Sequence, residues 1–191
     1  MSRNIAMNHR KRTTILMAGA LAIGAGLASG TAFVQAEPAP DTNAFADLID
    51  SFAVTFHPIR SVGTDMCLQP MDGSTADVPI VQMPCDGSVA QGWTFIPTVG
   101  SSTLIVNELS HSCMYFNGPI QAGTQIFQTL CDGTSNTWWT PVPVPGVAQL
   151  RSRVGRRDSD LCIDVTANRR DPGLVMDVMP CNNVVRQLWQ F

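Results

Sequence analysis

Short runs of apolar residues alternate with turn-forming residues along most of this chain. Strand-like runs precede a cysteine in three places: Ile80–Met83, Gln125–Gln128 and Leu174–Met179. Asp-Gly and Asn-Gly pairs mark turns in four places: 72–73, 86–87, 117–118 and 132–133. Loops are expected at 98–102 and 141–146. Since no stretch of this region has the periodicity of a helix, the pattern predicts an all-β domain.

The first 36 residues have a different pattern, typical of a secretory signal peptide. A positively charged start ending in Arg12 leads into an uncharged apolar run from Ile15 to Phe33, and Val34-Gln35-Ala36 offers a cleavage site. We therefore predict a secreted, extracellular protein with no membrane span after cleavage. The alternative is an uncleaved anchor, because the run approaches the length that crosses a bilayer.

Residues 37–55 are predicted to form a partly flexible N-terminal arm. Its first residues, Glu37-Pro38-Ala39-Pro40, favour an extended chain, and Asp41 or Thr42 could cap a short helix at 45–50. The arm is interpreted either as a tail packed on the domain or as a segment that docks a partner.

Three segments align on their cysteines and indicate an internal repeat. They are Cys67–Phe95, Cys113–Thr140 and Cys162–Phe191. The two cysteines of each segment are 18, 18 and 19 residues apart, and a tryptophan follows the second cysteine by eight residues in all three. These tryptophans, Trp93, Trp139 and Trp189, are expected in a shared core, because a large aromatic at a fixed repeat position is usually buried.

The repeat also predicts the disulfides and the fold. Six cysteines in an exported chain indicate disulfides, and the pairing that keeps the symmetry is Cys67–Cys85, Cys113–Cys131 and Cys162–Cys181. A unit of this size cannot bury its own apolar face, so the three must share one core. We predict a β-trefoil over 56–191, with repeats at about 56–100, 101–146 and 147–191. A propeller is the rival fold, but it uses more blades.

Composition and charge narrow the range of possible functions. From Glu37 onward the chain has eight arginines, no lysine and fifteen acidic residues, a formal charge of −7. This sign excludes a general nucleic-acid binder. Seven of the eight arginines fall after Ala148, which indicates either a salt-bridged solvated face or a basic edge for an anionic partner.

The repeats resemble ricin B-type lectin domains. Gln91-Gly92-Trp93 and Gln187-Leu188-Trp189 are similar to the Q-x-W signature of that family, and Thr137-Trp138-Trp139 lies in the equivalent place without the glutamine. The paired cysteines also match. The resemblance covers roughly 56–191 and implies a β-trefoil in which Gln91 and Gln187 fix a turn, and a carbohydrate-binding function without cofactor or metal.

The resemblance also indicates candidate sugar-binding residues. Sugars bind in such lectins through an aspartate two residues after the first cysteine, a polar residue and an aromatic before the second, and an asparagine before Q-x-W. The repeats depart from this set, having in turn Gln69, Val81, Met83, Ala90; Tyr115, Phe127, Thr129, Asn136; and Asp164, Asp177, Met179, Arg186. The third repeat retains most, so Asp164, Asp177 and Arg186 are the first candidates, followed by Tyr115 and Asn136.

Three other functions are considered. The sequence at Phe95–Thr98, Leu104–Val106 and Cys113-Met114 resembles the lectin-like C subunit of cytolethal distending toxin. This likeness would imply a cell-binding subunit that docks a protein partner such as another toxin subunit. A trefoil protease inhibitor would act through an exposed loop such as 141–146. Catalysis is not expected, because neither His57 nor His111 lies in a metalloprotease motif and there is no G-x-S-x-G sequence or P-loop.

Overall fold

The computed structural model describes residues 54–98, 100–154 and 157–191. These residues form a β-trefoil, as predicted. The strands of the first repeat are β1 His57–Pro58, β2 Arg60–Ser61, β3 Met66–Pro70, β4 Ile80–Pro84 and β5 Gly92–Pro97. Those of the second are β6 Thr103–Asn107, β7 Cys113–Phe116, β8 Thr124–Thr129 and β9 Trp139–Val144. Those of the third are β10 Val147–Val154, β11 Arg157–Asp164, β12 Leu174–Val175, β13 Asp177–Pro180 and β14 Trp189–Gln190.

Strand pairing closes a barrel and leaves one hairpin to each repeat. Around the barrel β5 pairs with β6, β6 with β9, β9 with β10, and β10 with β14. The ring closes at 57–61, since β1 pairs with β5 and β2 with β14. The hairpins β3–β4, β7–β8 and β11–β13 cap it.

The core is assembled from equivalent positions of the three repeats. Trp93, Trp139 and Trp189 have no solvent exposure and lie in one apolar cluster. The residue after each first cysteine joins them: Leu68, Met114 and Ile163. Three units that could not bury an apolar face alone therefore share one interior.

The three disulfides have the symmetric pairing that the repeat predicted. Cys67–Cys85, Cys113–Cys131 and Cys162–Cys181 join the start of each hairpin to the chain that leaves it. Each closes a loop of 18 or 19 residues. Two of the predicted turns, at 86–87 and 132–133, are also confirmed: Gly87 and Gly133 have φ near +73°, and the preceding Asp86 and Asp132 accept backbone hydrogen bonds from the residues two further on.

Two predictions of local structure were wrong. The expected strand Leu174–Met179 is two strands, because the chain changes partners at Met176: β12 pairs with β4, whereas β13 pairs with β11 and β8. The expected loop at 141–146 is mostly strand β9, followed by a turn at 145–146. Pro141 and Pro143 lie two residues apart, so their missing N–H donors fall on one side of the strand, where β9 meets β6 only at Trp139. The inhibitor loop expected there is therefore absent.

Two buried glutamines, Gln128 and Gln82, each connect their own hairpin to a loop of another repeat. Gln128 Nε2 donates to the carbonyls of Ser74 (2.8 Å) and Ala76 (2.6 Å), in a loop of the first repeat. Gln82 Nε2 donates in the same way to Arg169 (2.8 Å) and Asp171 (3.1 Å) of the third. These side chains fix the loops that border the candidate sites.

The predicted signal peptide at 1–36, the helix at 45–50 and all but the last two residues of the arm lie outside the described residues. Within the described part of the chain, no helix is long and apolar enough to cross a membrane.

Candidate functional site

The three repeat tryptophans have a structural role. Each indole N–H donates to the carbonyl of the residue that follows the first cysteine of its repeat: Trp93 to Leu68 (2.8 Å), Trp139 to Met114 (2.8 Å) and Trp189 to Ile163 (3.4 Å). Because the rings are fully buried and their only polar group is satisfied, they present no surface to a ligand.

The glutamine of the motif fixes the segment after the second cysteine. Gln91 donates to the carbonyl of Pro84 (2.9 Å) and accepts from the amide of Asp86 (2.9 Å). Gln187 repeats both bonds, to Pro180 (2.9 Å) and from Asn182 (3.0 Å). Thr137, the residue in this place in the second repeat, donates its hydroxyl to the nearby Thr134 carbonyl (2.7 Å) and forms neither of these two bonds within the described ranges.

In the third repeat, Asp164 lies beneath the candidate site. Its carboxylate is 1% exposed. Arg186 Nε donates to both carboxylate oxygens, at 3.1 and 3.0 Å, and Gln187 Nε2 donates to Oδ2 at 2.7 Å. Asp164 is thus paired and hydrogen-bonded, as a buried charge must be, and in this arrangement it positions Arg186. Direct contact between Asp164 and a sugar stays a prediction that requires Arg186 to move.

Arg186 and Asp177 form the outer part of this site. The Arg186 side chain is 32% exposed, and among the described residues only its Nε is engaged, which leaves the outer nitrogens as donors. Asp177 lies across the strand pair from Asp164 and accepts from the Thr166 hydroxyl through Oδ2 (2.9 Å). Its Oδ1 is buried without a hydrogen-bond partner among the described residues.

The environment of Asp177 disfavours its charged form. Burial raises the pKa of this carboxyl above its ordinary value, and the neighbouring Asp164 charge raises the pKa further. The Thr166 hydrogen bond and the Arg186 charge act in the opposite direction. The structure therefore brings together three of the predicted residues, Asp164, Asp177 and Arg186, as one donor and acceptor site.

The first repeat offers no comparable acceptor. Gln69 stands at the aspartate position, is buried, and accepts from Gln91 (3.0 Å). The other positions of its set are Val81, Met83 and Ala90, of which Val81 and Ala90 are buried.

The two candidates of the second repeat, Tyr115 and Asn136, are joined by no contact among the described residues. Tyr115 is half-buried on the outer face of β7, directly opposite Phe127 of β8, with ring centroids 6.1 Å apart. Asn136 is exposed in the 3-10 turn Ser135–Thr137. In the sequence, Phe127 was only a departure from the lectin pattern. Its position opposite Tyr115 in the hairpin is the signal that could have identified it as part of a binding surface.

No group of three or more metal-binding side chains occurs within the described ranges. An apolar groove of about 540 Å³ lies where the barrel strand β10 meets the C-terminal residues. Its lining includes Pro143, Val147 and Phe191.

Comparison with known proteins supports the fold. Residues 54–129 match the family described as ricin-type beta-trefoil lectin domain-like. The fold is similar to ThreeFoil, a designed threefold symmetric protein (TM-score 0.67, 18% identity, 71% of this chain and 96% of that one). It is also similar to an exo-β-1,3-galactanase from Clostridium thermocellum (0.65, 22%, 73% and 30%) and to the Macrolepiota procera ricin B-like lectin in complex with lactose (0.58, 16%, 71% and 91%).

No curated relative matches the sequence. The family match and the structural neighbours confirm the resemblance of the chain to ricin B-type lectin domains and confirm its β-trefoil fold. The likeness to the C subunit of cytolethal distending toxin stays a prediction.

Proposed function

We propose that the chain is a secreted carbohydrate-binding module of the ricin B lectin type, which acts by binding and not by catalysis. The domain at 56–191 would bind the glycan, after removal of a signal peptide at 1–36 and behind an arm at 37–55. The family match, the lactose held by one structural neighbour and three disulfides, which are common in exported proteins, support this proposal.

One observation carries the assignment to the third repeat: a donor and an unsatisfied acceptor lie side by side. Arg186 offers its outer N–H groups, and Asp177 Oδ1 is buried without a partner among the described residues. An unsatisfied buried acceptor costs about 1–3 kcal/mol, which a ligand hydroxyl recovers once a small movement of the surrounding side chains uncovers Oδ1. Adjacent sugar hydroxyls can both donate and accept, so one diol could satisfy both groups. Asp164 and Gln187 would hold Arg186 in place.

The enzyme neighbour suggests how such a module is used. The chain covers 30% of the galactanase, so the similarity concerns one part of that enzyme. We therefore assign this chain the binding role and propose no catalytic residue in it. Most positions of its sugar-binding sets are degenerate, and we expect modest affinity and a narrow range of glycans.

A glycan array with the oxidised chain, produced by a secretory route, tests the proposal. We expect binding to at least one glycan that is weakened in Asp177→Asn, which keeps the shape of the side chain but removes its charge. Asp171→Asn, an exposed aspartate of the same repeat, is the matched control and should bind as the wild type does. A wild-type array without binding would overturn the function, whereas undiminished binding by a folded Asp177→Asn variant would overturn the third-repeat assignment alone.

A further inference from the structure

We propose a second glycan site, separate from the third repeat, in which Tyr115 and Phe127 pack against a sugar ring while Asp77 accepts hydrogen bonds from its hydroxyls. We call Asp77, Tyr115, Phe127 and Thr129 the Tyr115 platform. The inference rests on the proposed function, since it takes the ligand to be a glycan. The carboxylate of the platform, Asp77, comes from the first repeat, so the site spans two repeats.

The aromatic part of the platform follows from the register of one hairpin. Tyr115 pairs with Phe127, and Cys113 pairs with Thr129, so these side chains share one face of β7 and β8, on which Cys113 is buried and Tyr115, Phe127 and Thr129 are partly exposed. The alternate residues, among them Phe116 and Ile126, face the core with at most 1% exposure. The two outer rings remain half-buried, tilted by 57° to each other. They offer an apolar surface on which the C–H face of a pyranose can lie.

The carboxylate is supplied by the segment 77–79 of the first repeat, which runs antiparallel to β8. The Gln128 amide donates to the Val78 carbonyl (3.0 Å), and Pro79 pairs with Phe127. Asp77 is exposed, and its Oδ2 accepts from the Thr129 hydroxyl at 3.3 Å. Burial raises the pKa of the Tyr115 phenol, and the charge of Asp77 raises it further, because that carboxylate lies near the ring.

The platform is held in place before any ligand binds. The side chain of Gln128 points inward and bonds the Ser74 and Ala76 carbonyls, just ahead of Asp77. The Cys113–Cys131 disulfide joins the two ends of the hairpin. A preorganised surface loses little conformational entropy on binding, so these contacts favour the site.

The platform carries its aromatic and polar side chains at different positions from those of the lectin pattern. An aromatic, Tyr115, stands where that pattern has the acid, and Thr129 stands where it has the aromatic. The acid is regained from a neighbouring repeat as Asp77. A carboxylate beside an apolar ring surface suits a neutral sugar and repels an acidic one. We therefore assign the platform to neutral pyranosides.

The test isolates this site by working in the Asp177→Asn background, which disables the third-repeat site. The probes are a printed array of neutral galactosides, glucosides and N-acetylhexosaminides with their sialylated counterparts. We expect neutral glycans still to bind and sialylated ones to bind more weakly. Adding Tyr115→Ala or Asp77→Asn should weaken binding roughly tenfold or more, the effect of one hydrogen bond to a charged group or one aromatic contact.

The controls separate loss of the site from loss of the fold. Asp72→Asn removes an exposed charge a few residues before Asp77 and should leave binding unchanged. Tyr115→Phe keeps the ring and should retain most of the binding, and Asp77→Asn, an exposed position, decides the outcome if Tyr115→Ala fails to fold. Equal binding by the background and by folded Tyr115→Ala and Asp77→Asn variants would overturn the platform. Binding by the wild type but none by the background would overturn the platform while sparing the proposed function, and no binding by the wild type would overturn both.

Discussion

Arg186 stands where the lectin pattern places an asparagine, and this exchange alters the third repeat. An asparagine would leave the Asp164 carboxylate open to a ligand, whereas Arg186 covers and neutralises it. The guanidinium then replaces the aspartate as the outermost polar group. The site changes from one that accepts hydrogen bonds to one that also donates them through Arg186, with Asp177 as the acceptor.

The contribution of Asp177 to the free energy of unfolding should be less favourable at neutral pH than at acidic pH. Its pKa in the folded protein lies above its ordinary value near 3.8, so the folded state binds the proton more tightly than the unfolded state. This contribution to stability is present at low pH and is lost as pH rises through the raised pKa. Asp177→Asn should therefore raise the free energy of unfolding by on the order of 1 kcal/mol at pH 7, and by less at pH 4.

Urea unfolding of both proteins at the two pH values checks this prediction. The difference between variant and wild type isolates Asp177 from the other titrating groups. A gain that is equal at both pH values, or larger at pH 4, would contradict the role given to the carboxylate. A gain in stability together with a loss of glycan binding would agree with a site kept for function at the expense of stability.

At the scale of the elements, two buried glutamines each link one repeat to another. Gln128 also accepts from the Ser110 hydroxyl (2.8 Å), and Gln82 from the Thr64 hydroxyl (2.9 Å), so each connects its own repeat to a neighbour. The third repeat has Val178 three residues before its second cysteine, where the others have glutamine. Only two of the three joints between repeats therefore contain this contact.

Replacing Gln128 should weaken the whole domain. Gln128→Leu leaves the Ser74 and Ala76 carbonyls without their donor, and we expect a loss of about 2–4 kcal/mol in the free energy of unfolding. Chemical denaturation monitored by tryptophan fluorescence measures it. Gln125→Leu, an exposed position on the same strand, serves as control. If the two variants unfold at the same denaturant concentration, the proposed joint between the repeats is not supported.

The disulfides stabilise each hairpin by constraining the unfolded chain. Removing one bridge by a Cys113→Ala and Cys131→Ala double substitution opens a loop of 18 residues, and we expect a cost of about 3 kcal/mol. Thermal unfolding of the variant beside the oxidised wild type checks this. An unchanged melting temperature would show that the barrel and core alone determine stability.

For the whole molecule, local spacing predicted the fold but not the contacts between repeats. The cysteine and tryptophan spacings were enough to predict the β-trefoil, the disulfides and the buried Trp93, Trp139 and Trp189, because the same spacings occur in all three repeats. The change of partner at Met176 and the approach of Asp77 to Thr129 depend on how the closed barrel places distant segments. Aligning one repeat with another cannot reveal such contacts.

Glycan binding by two sites can be tested in one experiment, a glycan array of the oxidised wild type beside a variant with both Tyr115→Ala and Asp177→Asn. We propose that the chain binds glycans through the Tyr115 platform and the third-repeat site. We predict that the wild type binds at least one neutral glycan and that the folded double variant binds it at least about tenfold more weakly. A wild type that binds no glycan, or a double variant that binds as the wild type does, would contradict this proposal.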